Sequence, residues 1–259
     1  MTEQFRISTR GQGPELVLLH GWAMNSGIWG GMVDALAADF RVNMVDLPGH
    51  GINRHIPLSR DLNTVAEMIL SEVPPAAWVG WSLGGLVTLA AAMRQSHKVT
   101  KMVLVGATPC FSRQEDWEWG VGAAAQKAFS DGLENTYTET VDQFALQTFG
   151  AEHLNESLRR LGDLSLVENM PAEDTQNNGL HLLYSNNLLP DLNECKTPTL
   201  FLGGSRDRTI RPESFDQAAS RMPDATVVSI PGAGHVPFIS HEEEFLQIIR
   251  GFLHEERLA

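Results

Sequence analysis

The sequence predicts an α/β fold in which a mostly parallel sheet carries helices on both faces. Short apolar runs, typical of strands buried on both faces, alternate with longer segments whose apolar residues recur at helical spacing. Because parallel strands need a crossover between them, this alternation favours a sheet built from strand–helix–strand units. The predicted strands are residues 16–19, 41–46, 76–79, 99–105, 199–204 and 226–230.

The helices of the first half lie between these strands. Residues 32–40 place apolar side chains at helical spacing. A second helix is predicted after Asp61, a good N-cap, and it ends at Pro74-Pro75. A third helix is predicted after the strand formed by residues 76–79. The carboxyl ends of parallel strands are where such sheets bind ligands, so the loops there are the places to look for chemistry.

Two further helices are predicted near the end of the chain. Residues 212–222 form the first of them. Ser240 is expected to cap the final helix, because Glu243 stands three positions later, as a capping box requires.

The pattern changes between residues 111 and 185, where strand-like runs give way to helical segments at 121–129, 140–149 and 154–161. We therefore expect residues 1–110 and 186–259 to form the core domain and residues 111–185 to form a helical cap over the strand ends. This cap is acidic, since it carries thirteen Asp and Glu against four Lys and Arg.

Composition excludes several functions. The 259 residues carry a formal charge of −13, which repels nucleic acid and anionic membranes. No apolar run in the sequence reaches the length that spans a bilayer, and we expect no signal peptide because the first residues lack an apolar stretch. Cys110 and Cys195 are expected to be reduced thiols. We therefore expect a cytoplasmic protein, and we expect it to be a monomer. Because the sequence contains no phosphate-loop or metal-ligand motif, we also expect no cofactor and no metal.

The segment Gly80-Trp81-Ser82-Leu83-Gly84 joins a predicted strand to a predicted helix. A turn over one residue strains that residue and exposes the Ser82 hydroxyl, while glycines two positions away avoid collisions. The helix N-terminus offers free N–H groups to a developing negative charge. The pattern can arise by chance, but its strand–turn–helix context predicts a nucleophile elbow.

The loop after the first apolar strand, His20-Gly21-Trp22, is a second candidate. In folds with such an elbow, one N–H from this loop and one from the residue after the nucleophile hold the oxyanion, which here are those of Trp22 and Leu83. A plain strand-to-helix loop with a buried tryptophan is the alternative.

A serine hydroxyl needs a base, and the base needs a partner on its other nitrogen. Among nine histidines, His235 follows a late strand in a glycine-rich loop, whereas His50 stands in a sharp turn and is predicted to be structural. Asp207 directly follows the strand that ends in Gly-Gly, although Asp191 and Asp224 are also late carboxylates.

At these residues the chain resembles the α/β hydrolases, and more narrowly the methyl ester esterases of biotin synthesis that act on a pimeloyl group carried by acyl carrier protein. The resemblance covers the whole length. The segments that carry it are His20-Gly21-Trp22, Asp46-Leu47-Pro48-Gly49-His50-Gly51, Gly80-Trp81-Ser82-Leu83-Gly84-Gly85, Phe144-Ala145-Leu146-Gln147-Thr148 and His235-Val236-Pro237-Phe238-Ile239-Ser240-His241.

This resemblance implies an α/β-hydrolase fold and assigns roles to residues. It makes Ser82, Asp207 and His235 the catalytic triad and the N–H groups of Trp22 and Leu83 the oxyanion hole. Arg159 and Arg160 of the cap become the candidate contacts with an acidic carrier protein. The residues implied to bind substrate are Trp22, Ser82, Leu83, Gln143, Phe144, Ala145, Leu146, Gln147 and His235.

The resulting hypothesis is a serine carboxylesterase for a methyl ester, most specifically that of the pimeloyl–carrier conjugate. A broad short-chain esterase, or a carbon–carbon-bond hydrolase or lyase, could use the same triad. A ligand receptor on a hydrolase fold is the non-enzymatic alternative, and the intact Ser, Asp and His set argues against it.

Overall fold

The computed structural model describes residues 4–155 and 170–254 and contains a seven-stranded sheet. Its strand order is β1-β3-β2-β4-β5-β6-β7, and every neighbouring pair is parallel except β1 and β3. The mostly parallel sheet predicted from the apolar runs is therefore confirmed. The strands are β1 Ser8–Arg10, β2 Glu15–Leu19, β3 Arg41–Val45, β4 Ala76–Trp81, β5 Val99–Val105, β6 Thr199–Gly204 and β7 Ala225–Ile230.

Nine α-helices lie entirely within the described residues. Short 3₁₀ helices lie at Ser26–Trp29, Gly51–Asn53 and Leu189–Glu194. The helix bounds are α1 Met32–Ala37, α2 Leu62–Glu72, α3 Leu83–Arg94, α4 Ala123–Asn135, α5 Tyr137–Phe149, α6 Glu173–Ser185, α7 Glu213–Ala219, α8 Pro237–Ser240 and α9 Glu242–His254. No helix among these residues is long and apolar enough to cross a membrane.

Alternating side chains of the strands build a core on each face of the sheet. In β2, Val17 and Leu19 belong to one cluster with residues of α2 and α3, whereas Leu16 and Leu18 belong to the other with residues of α1 and α9. All four of these side chains are fully buried. A strand covered on both faces must be apolar throughout, which is why these strands read as continuous apolar runs.

The order of the strands places a crevice between β2 and β4. After β2 the chain moves to β3 on one side, and it then returns to add β4 on the other. Leu19 and Gly80 are register partners across this pair, so both strands end at the same level. A reversal of this kind leaves an opening at the carboxyl ends of the strands, and ligands of parallel sheets bind there.

Between β5 and β6 the chain forms α4, α5 and α6. The sequence predicted that this region is helical, but α6 was not one of the predicted segments. The predicted helices at 121–129 and 140–149 correspond to α4 and α5. Most of the predicted helix at 154–161 lies outside the described residues, and so do Arg159 and Arg160. The domain boundaries themselves stay a prediction.

Two features differ from expectation. The edge strand β1 was not predicted, because three partly exposed residues carry no apolar run. The prediction that Ser240 caps the final helix is wrong, because Ser240 ends the separate short helix α8. Its hydroxyl instead lies 2.8 Å from the His241 Nδ1 and donates to the Val236 carbonyl oxygen.

Candidate active site

Ser82 occupies the single residue between β4 and α3. Its φ of 54° and ψ of −116° lie outside the regions that side chains other than glycine favour. The Ser82 N–H still donates to the Val105 carbonyl oxygen of the neighbouring strand, at 2.9 Å. The sheet therefore holds this residue in a strained conformation, as an elbow requires.

The glycines around Ser82 are needed because backbone atoms crowd them. A Cβ on Gly80 would stand 2.4 Å from the Gly84 carbonyl oxygen, and a Cβ on Gly84 would stand 2.4 Å from the Leu19 carbonyl oxygen. The expectation that side chains would collide at these two positions is confirmed. Close packing of α3 against β2 and β4 thus fixes the start of the helix behind Ser82.

His235 and Asp207 form a buried pair. The His235 Nδ1 lies 2.8 Å from one carboxylate oxygen of Asp207. The other oxygen accepts the N–H groups of Thr209 and Ile210, at 2.8 and 2.9 Å. Because the carboxylate accepts, the Nδ1 carries the proton and the Nε2 of a neutral ring is free to act as a base.

The two other late carboxylates lie elsewhere. Asp191 is exposed in the short helix Leu189–Glu194, and Asp224 precedes β7, at the amino end of that strand. The structure therefore pairs Asp207, and neither alternative, with His235.

Contacts between loops bring His235 to the edge of the sheet where Ser82 lies. Gly106 directly follows β5, and a Cβ on it would stand 2.9 Å from the His235 Nδ1. The Trp81 indole N–H donates to the His235 carbonyl oxygen, at 2.9 Å. The loop that carries His235 is thus attached to the residue that precedes Ser82.

The loop His20-Gly21-Trp22 lies against Ser82, because a Cβ on Gly21 would stand 3.2 Å from the Ser82 Cβ. The residue after this segment, Ala23, has a φ of 61°. Within residues 4–155 and 170–254, the backbone N–H groups of Trp22 and Leu83 have no acceptor. Such N–H groups are suited to hold an oxyanion.

His20 supports this loop in a way that the sequence did not indicate. Its buried ring accepts the Leu47 N–H at Nε2, at 3.0 Å, and its Nδ1 donates to the Gly21 carbonyl oxygen, at 2.8 Å. Burial lowers the pKa of His20. The neutral ring therefore links the loop to the end of β3.

Trp22 joins the core to the helices between β5 and β6. Its indole N–H donates to the carbonyl oxygen of Gln176 in α6, at 2.9 Å. The ring centroids of Phe129 and Phe144 lie 5.5 and 5.0 Å from that of Trp22, in edge-to-face contact. A Cβ on Gly179 would stand 2.6 Å from the indole. Gln176 and Gly179 escaped the sequence analysis because only the tertiary contact gives them a role.

The segment 143–147 is divided between two surroundings. Phe144 contacts Trp22, and Ala145 is buried in the core. The other three residues, Gln143, Leu146 and Gln147, line an open groove of about 850 Å³. Arg206 and Arg208, which flank Asp207 in the sequence, line the same groove. Because both arginines flank the predicted catalytic acid, their positions in the sequence could have marked them as residues near the site.

His50 lies behind the site and bonds within its own turn. Its Nδ1 donates to the Pro48 carbonyl oxygen, at 2.9 Å, and its ring centroid is 5.0 Å from that of His20. Burial, with the adjacent His20, lowers the pKa of His50 to about 3. These contacts agree with a structural role for this histidine.

In the described part of the chain, no group of three or more His, Cys, Asp or Glu side chains is arranged to hold a metal ion. Cys110 and Cys195 are both buried and unpaired.

This sheet, with a serine at the strand-to-helix corner and a His–Asp pair in the loops of later strands, is the architecture of an α/β hydrolase. The chain belongs to the alpha/beta hydrolase family, whose model matches residues 16–248.

Two relatives carry a more specific name, pimeloyl-[acyl-carrier protein] methyl ester esterase. The chain is 38% identical to the one from Xylella fastidiosa over 250 residues, which cover 95% of this chain and 98% of the relative. It is 38% identical to the one from Nitrosomonas europaea over 242 residues, covering 93% and 96%.

Among solved structures, the chain is similar to a hydrolase from Oleispira antarctica, with a TM-score of 0.87. The match covers 97% of this chain and 95% of that one at 17% identity, which shows the fold alone.

Proposed function

We propose that the protein is a serine carboxylesterase that hydrolyses the methyl ester of a pimeloyl group carried on acyl carrier protein. The observation that carries this proposal is the buried His235–Asp207 hydrogen bond of 2.8 Å, at the sheet edge where Ser82 holds its strained corner. The names of the relatives from Xylella fastidiosa and Nitrosomonas europaea support the substrate.

In the first half of the proposed reaction, the His235 Nε2 takes the proton of the Ser82 hydroxyl as its oxygen attacks the ester carbonyl carbon. The carbonyl oxygen becomes an oxyanion, which the N–H groups of Trp22 and Leu83 hold. Asp207 stabilises the imidazolium that forms. His235 then gives its proton to the methoxide, so methanol leaves and the acyl group stays on Ser82.

In the second half, a water molecule attacks the acyl carbon while His235 takes a proton from that water. Collapse of the second oxyanion breaks the bond to Ser82, and His235 returns the proton to the serine oxygen. The products are a free carboxylic acid and the regenerated enzyme, and the reaction consumes one water. One copy of the chain supplies every residue of this scheme, so a monomer suffices.

We further propose that residues 111–185 form a cap over this site. The aromatic rings of Trp22, Phe129 and Phe144 would give the aliphatic acyl chain an apolar wall beneath it. In this proposal Arg159 and Arg160 remain candidate contacts with the carrier, although both lie outside the described residues. The cytoplasm is the proposed compartment, where two buried free thiols such as Cys110 and Cys195 persist.

Labelling with a fluorophosphonate tests the role of Ser82. The wild type should gain one adduct by intact mass, located on Ser82, and should hydrolyse dimethyl pimelate. Ser82→Ala should lose the adduct and on the order of 10⁶ in kcat, as other serine triads do. Ser71→Ala, which removes an exposed hydroxyl on α2, is the matched control and should behave as the wild type. Activity of Ser82→Ala within about tenfold of wild type would remove this serine from the mechanism.

A further inference from the structure

We propose that the groove beside the His235–Asp207 pair binds the phosphopantetheine arm of the carrier, with Arg206 and Arg208 at its phosphate. The proposal rests on the carrier-linked substrate proposed above. It adds a binding site formed by the core loops, separate from Arg159 and Arg160 of the cap.

The groove lies directly outside the proposed catalytic pair. One wall is formed by Arg206 and Arg208, which flank Asp207, and by Gly234 and Val236, which flank His235. The opposite wall comes from α5 and the residues after it. A substrate arm in this groove would therefore lie beside the loops that carry Asp207 and His235.

The two walls are joined by a hydrogen bond. The Gln147 side-chain amide of α5 donates to the Arg208 carbonyl oxygen, at 3.2 Å. This contact fixes the distance between the helix and the loop that carries both arginines.

The charge of the groove is opposite to that of the chain as a whole. Arg206 and Arg208 are exposed, and within the described residues neither guanidinium pairs with a carboxylate. Glu152 is the carboxylate that lines the groove there, and His153 and His241 are its imidazoles. Two arginines so close together in a chain of net charge −13 mark a place where an anion is favoured.

The remaining side chains of the groove match the rest of the arm. A phosphopantetheine arm carries two amides and a dimethyl group between its thiol and its phosphate. The amides of Gln143 and Gln147 can donate to and accept from the arm's amides. Leu146, which is 50% exposed, offers an apolar surface to the dimethyl group. The planar forks of Arg206 and Arg208 suit the phosphate oxygens.

The division of α5 is consistent with this placement. Its Phe144 faces Trp22, the proposed wall for the acyl chain, whereas Gln143 and Gln147 face the groove. The acyl part and the arm of one substrate would thus meet different faces of the same helix.

The test compares two small esters, methyl pimeloyl-phosphopantetheine and methyl pimeloyl-pantetheine, which differ only in the phosphate. We expect the wild type to favour the phosphorylated ester in kcat/KM by about tenfold or more, the effect of at least one charge-assisted hydrogen bond. The double variant R206Q/R208Q should reduce that ratio to about one, because neither glutamine carries a charge.

The control is R10Q/R41Q, which removes the same charge at β1 and β3, near the opposite edge of the sheet. Arg10 and Arg41 form exposed ion pairs with Asp34 and Glu15, and such pairs contribute little to stability. This variant should keep the wild-type ratio. Equal use of the two esters by the wild type, or an unchanged ratio in R206Q/R208Q, would overturn the groove proposal and leave the esterase in place. Failure of the wild type to hydrolyse either ester would instead overturn the proposed function.

A second measurement needs no variant. Phosphopantetheine and pantetheine are compared as inhibitors of dimethyl pimelate hydrolysis by the wild type. The phosphorylated compound should inhibit about tenfold more strongly at low salt, and the difference should shrink as salt screens the arginines. Equal inhibition at low salt would contradict the proposal even if R206Q/R208Q failed to fold.

Discussion

The indole N–H of Trp22 donates to the carbonyl oxygen of Gln176 at 2.9 Å, and this bond ties the proposed oxyanion loop to helix α6. The donor belongs to the loop after β2, whereas the acceptor belongs to the helical segment between β5 and β6. The position of the N–H group proposed to hold the oxyanion therefore depends on how that segment sits on the core.

Trp22→Phe should lower kcat/KM for an ester by about tenfold, because the buried Gln176 carbonyl oxygen loses its donor and the loop loses its anchor. The control is Trp78→Phe, which makes the same change in β4, where the indole nitrogen has no partner among the described residues. This control should lose stability by thermal unfolding and keep kcat/KM near wild type. Equal losses of activity in the two variants would show that the Gln176 bond contributes nothing specific.

Asp207→Asn should lower kcat by about 10⁴ while leaving the fold intact. The side-chain oxygen of the asparagine would continue to accept hydrogen bonds from the N–H groups of Thr209 and Ile210. Its NH₂ group would therefore face His235. The imidazole would then carry its proton on Nε2 and could not act as the base. Asp191→Asn, at an exposed position, is the control and should retain wild-type kcat. An unaffected rate in Asp207→Asn would point to another carboxylate.

Gly179→Ala should weaken activity without the gain in stability that alanine usually brings to a helix. A Cβ at this position would stand 2.6 Å from the Trp22 indole, so α6 or the tryptophan must shift. Gly251→Ala in α9 has open space around its Cβ and should stabilise the protein by about 0.5–1 kcal/mol. Kinetics and chemical unfolding of both variants check this pair. A stabilised, fully active Gly179→Ala would contradict the close contact.

His50 should make the protein less stable as the pH falls below about 6.5. Its folded-state pKa of about 3 lies below the ordinary value, so the unfolded chain binds more protons between these two pH values. The free energy of unfolding therefore rises with pH through that window. The contribution of His50 to it is fully present above about pH 6.5.

Between about pH 7 and pH 5, the wild type should lose about 2 kcal/mol more than His50→Gln, measured by urea unfolding. His97→Gln, at an exposed position, is the control and should keep the wild-type dependence. Parallel pH dependences in the wild type and His50→Gln would show that this histidine is not kept neutral by the fold.

The features that could be predicted from sequence are those fixed by local chemistry. The elbow is one, because a strand, a glycine-flanked serine and a helix follow each other directly, and the strain at Ser82 arises within that stretch. The Asp61 cap of α2 is another, because its acceptor and the Thr64 N–H lie three residues apart. Continuous apolar runs likewise predicted the central strands, since each of those strands is covered on both faces.

The remaining features depend on residues far apart in the chain. Asp207 was preferred over Asp191 and Asp224 because it directly follows an apolar strand, but its hydrogen bond to His235 spans 28 positions and is seen only in the structure. The link between Trp22 and Gln176 spans 154 positions. At Ser240 the local sequence was misleading. Its spacing to Glu243 fits a capping box, but the short helix α8 ends at Ser240, so this residue does not cap the final helix. The division of residues 143–147 between core and groove depends in the same way on the packing of α5.

The acidity of the predicted cap bears most directly on the choice of substrate. With thirteen acidic residues against four basic ones between positions 111 and 185, the cap should repel an acidic carrier protein. Arg206 and Arg208 lie in the core, at the groove, and would have to offset that repulsion. A broad short-chain esterase, or an enzyme that cleaves carbon–carbon bonds, would not need them, and a panel of simple esters and diketones separates these activities.

The proposed function is tested most directly by kcat/KM for methyl pimeloyl–carrier protein, measured beside free dimethyl pimelate. We expect a preference of about a hundredfold for the carrier-linked ester, equivalent to about 2.7 kcal/mol of added transition-state binding. Equal or better use of the free ester would contradict it and would identify a general esterase whose acidic cap keeps the carrier away.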